Sequence, residues 1–492
     1  MSVILNEVRR ATYLDSIVLM RISRQIAALP GVEEAGLIIG TPANKEILRD
    51  ANILGPEGSA ADPGDLIIAL RTSDVRTAEA ALAEAKRLLD QPSALGTTAA
   101  IESSRTVRAA IQRLPEANLA LISVPGDFAV AEARKAMELG LHVMIFSDNV
   151  PIADEATLKR TARDRGLFVM GPDCGTAIIG GVPLGFANVV PTGDIGIIGA
   201  SGTGIQEVSC LIARAGRGIS HAIGTGGRDL KAEVGAITTL MAIDALDADD
   251  RTKHVVLISK PPAASVARAV LERVAKSSKP FTICFLGATD FALPANARSA
   301  GTLKATAELV VGGIGAVPAN PRLLQSNGRK RVRGLFAGGT LCSEAQIIFR
   351  QAGLPVMSNV PVPGASPVTG TYDGHVLIDL GDDEFTRGRP HPMFEPGVRD
   401  APLAEAIADP NVGVVLLDVV LGYGGHPDPA GHLVARLANR DGRPVIVASV
   451  TGTDADPQPR ETQIQKLVDA EVIVAGSNAD AAEAAIAALS AH

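Results

Sequence analysis

The chain of 492 residues has no tryptophan and only three tyrosines, and aromatic residues make up 3% of it. Stacking surfaces for single-stranded nucleic acid are built from such rings, so no nucleic-acid partner is expected. Positive charge is also short: 46 Lys and Arg stand against 54 Asp and Glu, a net charge of −8. That balance disfavours a phosphate backbone as ligand. Four cysteines, Cys174, Cys210, Cys284 and Cys342, occur without CxxC spacing. They suit a reducing cytosol and form no zinc motif, and no metal is expected. No apolar run reaches the roughly 20 residues of a membrane span. The opening segment, Met1 to Arg10, carries an acid and lacks the apolar core of a secretory signal. A cytoplasmic protein with no membrane partner is the expectation.

What is abundant is small and aliphatic. Hydrophobic residues make up 46% of the chain and charged ones 20%, which is ample material for a core. The length favours about three domains at roughly 150 residues each. Short apolar runs alternate with helical patterns almost throughout. Strands are expected at 36–40, 65–70, 119–124, 142–146, 167–170, around 195, at 254–258, 281–286, 332–337, 412–417, 444–448 and 472–474. Helices are expected at 72–89, 127–139 and 153–165. Strand and helix in alternation imply parallel βαβ units, and runs apolar on both faces imply sheets covered on both sides. The fold class is therefore α/β, with several Rossmann-like or flavodoxin-like doubly wound domains. Polar stretches at 90–98 and 318–331 read as linkers. The expected divisions are an α/β domain over 1–100, a Rossmann-like domain over 101–190, a flavodoxin-like domain over 191–325 and a last domain over 330–492.

One segment concentrates chemistry. Asp194-Ile195-Gly196-Ile197-Ile198-Gly199 reads as a strand, Ala200-Ser201-Gly202-Thr203-Gly204 as a small-residue turn, and Ile205-Gln206-Glu207 as the opening of a helix. This order aims backbone N–H groups, two hydroxyls and the positive end of a helix at one spot, which suits an anion and above all a phosphate. The device recurs in Gly334-Leu335-Phe336-Ala337-Gly338-Gly339-Thr340-Leu341-Cys342. Two helix starts from separate domains can thus converge on one phosphoryl group. Ser201, Thr203, Gly339 and Thr340, with His391 further along the chain, are the candidate catalytic residues, and Gly202, Gly204 and Gly338 the candidate binding residues. A plainer reading of either turn is a tight βα connection. The glycine series around residues 193–204 is no dinucleotide fingerprint, because no acidic residue closes a second strand about 20 residues on.

Gly171-Pro172-Asp173-Cys174-Gly175-Thr176 and the Ser201-Gly202-Thr203 turn together resemble the GPNC and SGT motifs of the succinyl-CoA synthetase α subunit. Val124-Pro125-Gly126-Asp127-Phe128 is similar to the VPxxF turn of that family's CoA-binding domain, and Gly224-Thr225-Gly226-Gly227-Arg228-Asp229 to its GxGGD loop. From about Gly334 onward the chain resembles the C-terminal domain of the β subunit. Tyr13-Leu14-Asp15-Ser16, Gly40-Thr41-Pro42-Ala43-Asn44-Lys45 and Arg387-Gly388-Arg389-Pro390-His391-Pro392-Met393 resemble the FdrA family, which shares this fused layout. The resemblance implies a succinyl-CoA synthetase-like fold, CoA as a possible ligand at Val124, Pro125, Gly226 and Arg228, and a homo-oligomer or a hetero-complex with other subunits.

Departures from the resembled pattern carry equal weight. The synthetase relays phosphate through the histidine of a GHAG motif, whereas the matching region here reads Pro294-Ala295-Asn296-Ala297-Arg298-Ser299-Ala300-Gly301, and no histidine lies between His254 and His375. Residues 1–100 are too few for an ATP-grasp domain. A phosphate cradle without a charging apparatus favours a reaction in which inorganic phosphate is itself substrate or product. The FdrA resemblance implies a transferase of the oxamate carbamoyltransferase type in allantoin catabolism, in which oxalurate and phosphate give oxamate and carbamoyl phosphate. Two other classes stay open: an acyl-CoA synthetase subunit working with a separate ATP-grasp chain, and a non-catalytic phosphate-binding scaffold.

Several residues admit two readings. Arg387, Arg389 and His391, held between prolines, can bind a carboxylate, or form an exposed basic turn. Arg228 can contact the substrate or pair with Asp229. His426 can act as a base or as a loop residue. Cys342 at a helix start can have a lowered pKa or simply be buried, and Cys174 reads as buried and inert. Asp379, Asp382 and Asp383 cluster like cation ligands, but three acids in a loop are more commonly a solvated turn, and no metal is expected there.

Overall fold

The computed structural model describes the chain except residues 1, 11, 13, 15, 91–103, 105, 289–290, 314–327, 369–373, 387–390, 438–443 and 491–492. It divides into two units, one of residues 1–115 with 386–390 and one of residues 116–385 with 391–492. The linker expectations at 91–98 and 318–327 fall outside the described residues.

In the first unit β1 (Val3–Arg9), β2 (Val32–Ile39) and β3 (Leu66–Thr72) form a sheet in the order β1-β3-β2. Both pairings are antiparallel, which corrects the expectation of parallel units here. The crossover through helix Ser16–Ala27 leaves one strand position open between β1 and β2, and β3 fills it from the opposite direction. That helix and Val75–Asp90 cover one face, with Leu19, Ile22, Ile26, Ala81 and Ala85 packed on Leu37, Leu66, Ile68 and Leu70. β1 escaped the sequence reading because Asn6 and Glu7 interrupt its apolar run. Asn6 is a brace here: its Nδ2 donates to the Ile53 carbonyl and its Oδ1 accepts from Gly55 N–H.

Among the described residues the second unit holds three sheets. β4 (Leu119–Ile122), β5 (His142–Ile145) and β6 (Val169–Met170) form a small parallel one. Then β7 (Thr176–Ile179), β8 (Val182–Gly185), β9 (Thr192–Gly199), β10 (Ile219–Gly224), β11 (His254–Ser259), β12 (Phe281–Phe285) and β13 (Ala297–Ser299) assemble in the order β13-β12-β11-β9-β10-β7-β8. All its pairings are parallel except those of β7 with β10 and β8. Last, β14 (Arg331–Phe336), β15 (Val356–Ser358), β16 (Ser366–Pro367), β17 (His375–Asp379), β18 (Val412–Val420), β19 (Val445–Thr451) and β20 (Ile473–Ala475) form an all-parallel sheet, β16-β15-β17-β14-β18-β19-β20. Apart from the N-terminal sheet and the β7–β8 edge, the expected parallel architecture is what the structure shows.

The two seven-stranded sheets share one core. Helices Gly202–Arg214, Leu303–Val311, Gly339–Gln351 and Asn478–Ser490 meet between them, and Val208, Leu211, Ile212, Ala307, Leu341, Ala345, Phe349 and Ala485 belong to one buried cluster. Each buried Leu, Ile or Val contributes roughly 1.5–3 kcal/mol. The alanines of the last helix leave room for close approach. Polar ties then fix the alignment. Glu207 on the Gly202 helix accepts from Asn478 N–H at 3.0 Å and from the Thr451 hydroxyl at 2.5 Å. Asn478 Nδ2 donates to the Leu341 carbonyl at 3.0 Å and to Glu344 at 2.7 Å. The starts of the Gly202 and Gly339 helices are therefore held in a set relation by packing and by satisfied buried hydrogen bonds.

Candidate functional site

Each large sheet has a point where successive connections leave in opposite directions. In the first it lies between β9 and β11, and in the second between β14 and β18. Crevices at the carboxyl ends of such strands are where open α/β sheets bind ligands. The Gly202 helix follows β9 and the Gly339 helix follows β14.

The first start is capped by its own sequence. Ser201 is extended, and its Oγ accepts from Gly204 N–H at 2.9 Å. The second has a glycine at the cap, Gly338, with no side-chain cap. The turn before it is held from behind. Ala337 and Gly338 N–H donate to Asp418 Oδ1 and Oδ2, both at 2.7 Å. Asp418 is fully buried on β18 and takes 2.6 Å and 2.9 Å hydrogen bonds from Arg399 to its carboxylate and carbonyl. The first-turn N–H groups of this helix thus lack any side-chain cap and carry the partial positive charge of a helix start.

The two starts touch. Ser201 Oγ and Thr340 Oγ1 lie 2.5 Å apart. A Cβ on Gly338 would stand 3.0 Å from Thr203 Cγ2, so glycine permits the approach. Ser201 Oγ already accepts from Gly204, so the hydroxyl pair has one proton left for a ligand whichever member donates to the other.

Asp379, at the end of β17, closes one side. It is 6% exposed. Its Oδ1 accepts from Gly381 N–H at 2.9 Å, its backbone is clasped by Asn359 through two 2.9 Å bonds, and its Oδ2 points at the first residue of the helix, 2.5 Å from where a Gly339 Cβ would be. Burial pushes this carboxyl up to about 7 against the opposing pull of Lys260. Lys260 follows β11, is exposed, and has no ion-pair partner among the described residues. His391 is half-buried beside Phe186, with ring centroids 6.2 Å apart. Its Nδ1 accepts from Met393 N–H at 3.2 Å, so Nε2 carries the proton of the neutral ring, and desolvation lowers the ring to about 4. That Nε2 and Asp379 Oδ1 both face the Gly381 backbone.

The structure therefore brings together Ser201, Gly202, Thr203, Gly204, Gly338, Gly339 and Thr340, with His391 beside Asp379. It places others apart. The Val124 carbonyl accepts from the Ser147 hydroxyl at 2.5 Å, and Pro125 precedes helix Gly126–Glu138. Gly226, at φ +82°, packs its backbone on Gly171 and Pro172. Arg228 does not pair with Asp229. It reaches Glu155 at 2.9 Å and the Val150 carbonyl at 2.8 Å, while buried Asp229 takes Lys159 at 2.8 Å. Arg387 and Arg389 lie outside the described residues. His426 Nδ1 accepts from Asp428 N–H at 3.1 Å. Cys342 does not gain acidity from its helix start: full burial pushes its thiol up, and Cys174 likewise to about 12. Asp379, Asp382 and Asp383 do not act as one cluster, since Asp379 turns inward and Asp383 is exposed. No metal-binding group occurs among the described residues, and no described helix is long and apolar enough to cross a membrane.

Sequence reading missed the brace formed by Asp418 and Arg399. A lone acid inside the apolar run Val412-Gly413-Val414-Val415-Leu416-Leu417-Asp418-Val419-Val420 was the available signal, because a buried carboxylate in a covered strand demands partners.

Three family models match parts of this chain. Residues 335–488 match a family described as CoA-ligase, residues 191–287 a CoA binding domain, and residues 1–105 the heavy metal-associated domain of AllF. Residues 1–105 contain neither cysteine nor histidine, so they offer no thiolate or imidazole ligand of the kind such a description suggests. A mitochondrial succinate–CoA ligase α subunit of Trichomonas vaginalis is 31% identical over 183 residues, covering 35% of this chain and 58% of that subunit. Among solved structures, PH0766 of Pyrococcus horikoshii aligns with 80% of this chain and 87% of its own at 16% identity and a TM-score of 0.32. The protein YahF of Escherichia coli (strain K12) is 41% identical over 491 residues, with 95% of each chain covered. With a relative of that identity along nearly its whole length, the chain belongs with YahF to an FdrA-like, succinyl-CoA synthetase-like family.

Proposed function

We propose that the paired helix starts bind inorganic phosphate and that the protein uses it in carbamoyl or acyl transfer, as a subunit of an oxamate carbamoyltransferase-type enzyme acting with a small ureido or acyl-amide substrate. The observation that carries this reading is the 2.5 Å contact between Ser201 and Thr340, which places two helix N-termini from two sheets at one spot. A tetrahedral carbon bearing an oxyanion beside a phosphate is a concentrated negative charge. Preorganised N–H donors stabilise it without reorganising, and one such donor is typically worth about 3 kcal/mol of barrier. Absence of histidine between His254 and His375 leaves no imidazole at the relay position of the resembled synthetases, which favours direct use of phosphate. The test is formation of carbamoyl phosphate from oxalurate and phosphate by the assembled protein with its partner subunits, followed by phosphorus NMR. No product in that assembly refutes the reading.

A second reading, an acyl-CoA ligase subunit working with a separate ATP-grasp chain, draws support from the CoA binding and CoA-ligase matches. Calorimetric titration with CoA separates the two. Tight CoA binding with no phosphate-dependent product favours the ligase.

A further inference from the structure

Asp379 is a carboxyl group set where an anion is meant to sit. Its side chain is more than nine-tenths buried, Oδ1 is held by Gly381, and Oδ2 accepts no hydrogen bond from any described residue while pointing at the uncapped start of the Gly339 helix. Charged, it would compete with phosphate for the same N–H groups and repel it. Neutral, it offers an O–H donor to a phosphate oxygen.

We propose that Asp379 works in its acid form, donating its Oδ2 proton to an oxygen of the bound phosphate, so that phosphate binding takes up a proton. This rests on the reading of the cradle as a phosphate site. In the transfer reaction, a phosphate oxygen forms the new bond to the ureido carbon and the carbon–nitrogen bond breaks with its electron pair going to nitrogen. The Asp379 proton passes to that nitrogen, and the carboxylate regains a proton from the P–OH group, leaving carbamoyl phosphate as its dianion. Atoms and charge balance without another reactant. A group that titrates near neutrality suits such a shuttle, and burial places this carboxyl there, at about 7. The groups facing it are Lys260 after β11, Asp382 in its own loop, Asp418 on β18, Cys342 on the Gly339 helix and His391 across Gly381. Lys260 opposes the upward shift, while Asp382 and Asp418 reinforce it.

The experiment is calorimetric titration of the full chain with inorganic phosphate at about pH 8, where phosphate is already the dianion, in buffers of different ionisation enthalpy. The wild type is expected to take up close to one proton per phosphate, and its affinity to fall about tenfold per pH unit above neutrality. Asp379→Asn keeps a donor but cannot titrate. It should bind phosphate with no proton uptake and a flat pH dependence, while the control Asp382→Asn keeps the wild-type slope. Phosphate binding without proton uptake by the wild type, or an unchanged slope in Asp379→Asn, overturns this inference and leaves the phosphate site standing. No phosphate binding at all overturns both. The wild-type measurement decides the matter alone if Asp379→Asn fails to fold.

Discussion

Replacing Thr340 by valine removes one hydroxyl from the meeting point of the two helices and little else. Thr340 is 6% exposed, and valine keeps its shape and β-branch. Its Oγ1 lies 2.5 Å from Ser201 Oγ, so the free protein loses one neutral hydrogen bond, worth about 0.5–1.5 kcal/mol. A bound anion takes one proton from the pair, because Thr340 either donates to the ligand or donates to Ser201 and leaves the Ser201 proton for the ligand. Thr340→Val leaves the Ser201 proton free to turn to the ligand, and Ser201→Ala leaves that of Thr340, so each single variant keeps one donor. The double variant keeps none. It loses a hydrogen bond to a charged acceptor, worth about 1.5–3 kcal/mol, which corresponds to an affinity roughly 10- to 150-fold weaker. The effects should therefore be non-additive, with the double variant binding phosphate more weakly than the two single losses combined predict. Ser201→Ala also loses the cap to Gly204, at a stability cost of about 1 kcal/mol, so Thr340→Val is the cleaner probe and Thr340→Ser the conservative control. The assay is calorimetric titration with inorganic phosphate, beside thermal denaturation to check folding. Unchanged affinity in the double variant, or full additivity of the two single losses, would refute the shared site.

Two further outcomes follow from the same geometry. Asp418→Ala leaves Arg399 buried without its partner and frees the Ala337–Gly338 turn, so it should cost about 3–5 kcal/mol of stability in denaturant titrations and weaken phosphate binding in parallel. Glu344 is fully buried near Glu207, and burial raises it from 4.5 to about 7. A raised carboxyl stabilises the fold below its unfolded value and loses that contribution as pH climbs through the folded one, so stability should decline between about pH 4.5 and 7 by up to about 3 kcal/mol from this group, a slope that Glu344→Gln flattens.

The two βα turns were legible in the sequence because an apolar run ending in small residues has few local outcomes. A strand must stop, glycine or serine must turn, and a helix must start. That the two turns face one another was suggested by their likeness alone. What enforces it is long-range: Glu207 binds Thr451 and Asn478, and Asn478 binds Glu344 and Leu341. None of these pairs has a spacing that pattern reading detects. In the sequence Asp379, Asp382 and Asp383 form one acidic run. Strand periodicity separates them, since Asp379 still belongs to β17 and turns inward while Asp383 has left the sheet. The N-terminal sheet misled for a related reason. Helix and strand alternate there as in a parallel unit, but which position a third strand takes is decided by the gap that the first crossover leaves.

The proposed phosphate site requires two helix starts to hold one anion. A crystal structure of the full chain grown with inorganic phosphate tests it directly. The expected result is one phosphate within hydrogen-bond distance of the first-turn N–H groups of both the Gly202 and Gly339 helices and of the Ser201–Thr340 hydroxyl pair. Phosphate bound at one start alone, or bound elsewhere with both starts bare, would contradict it.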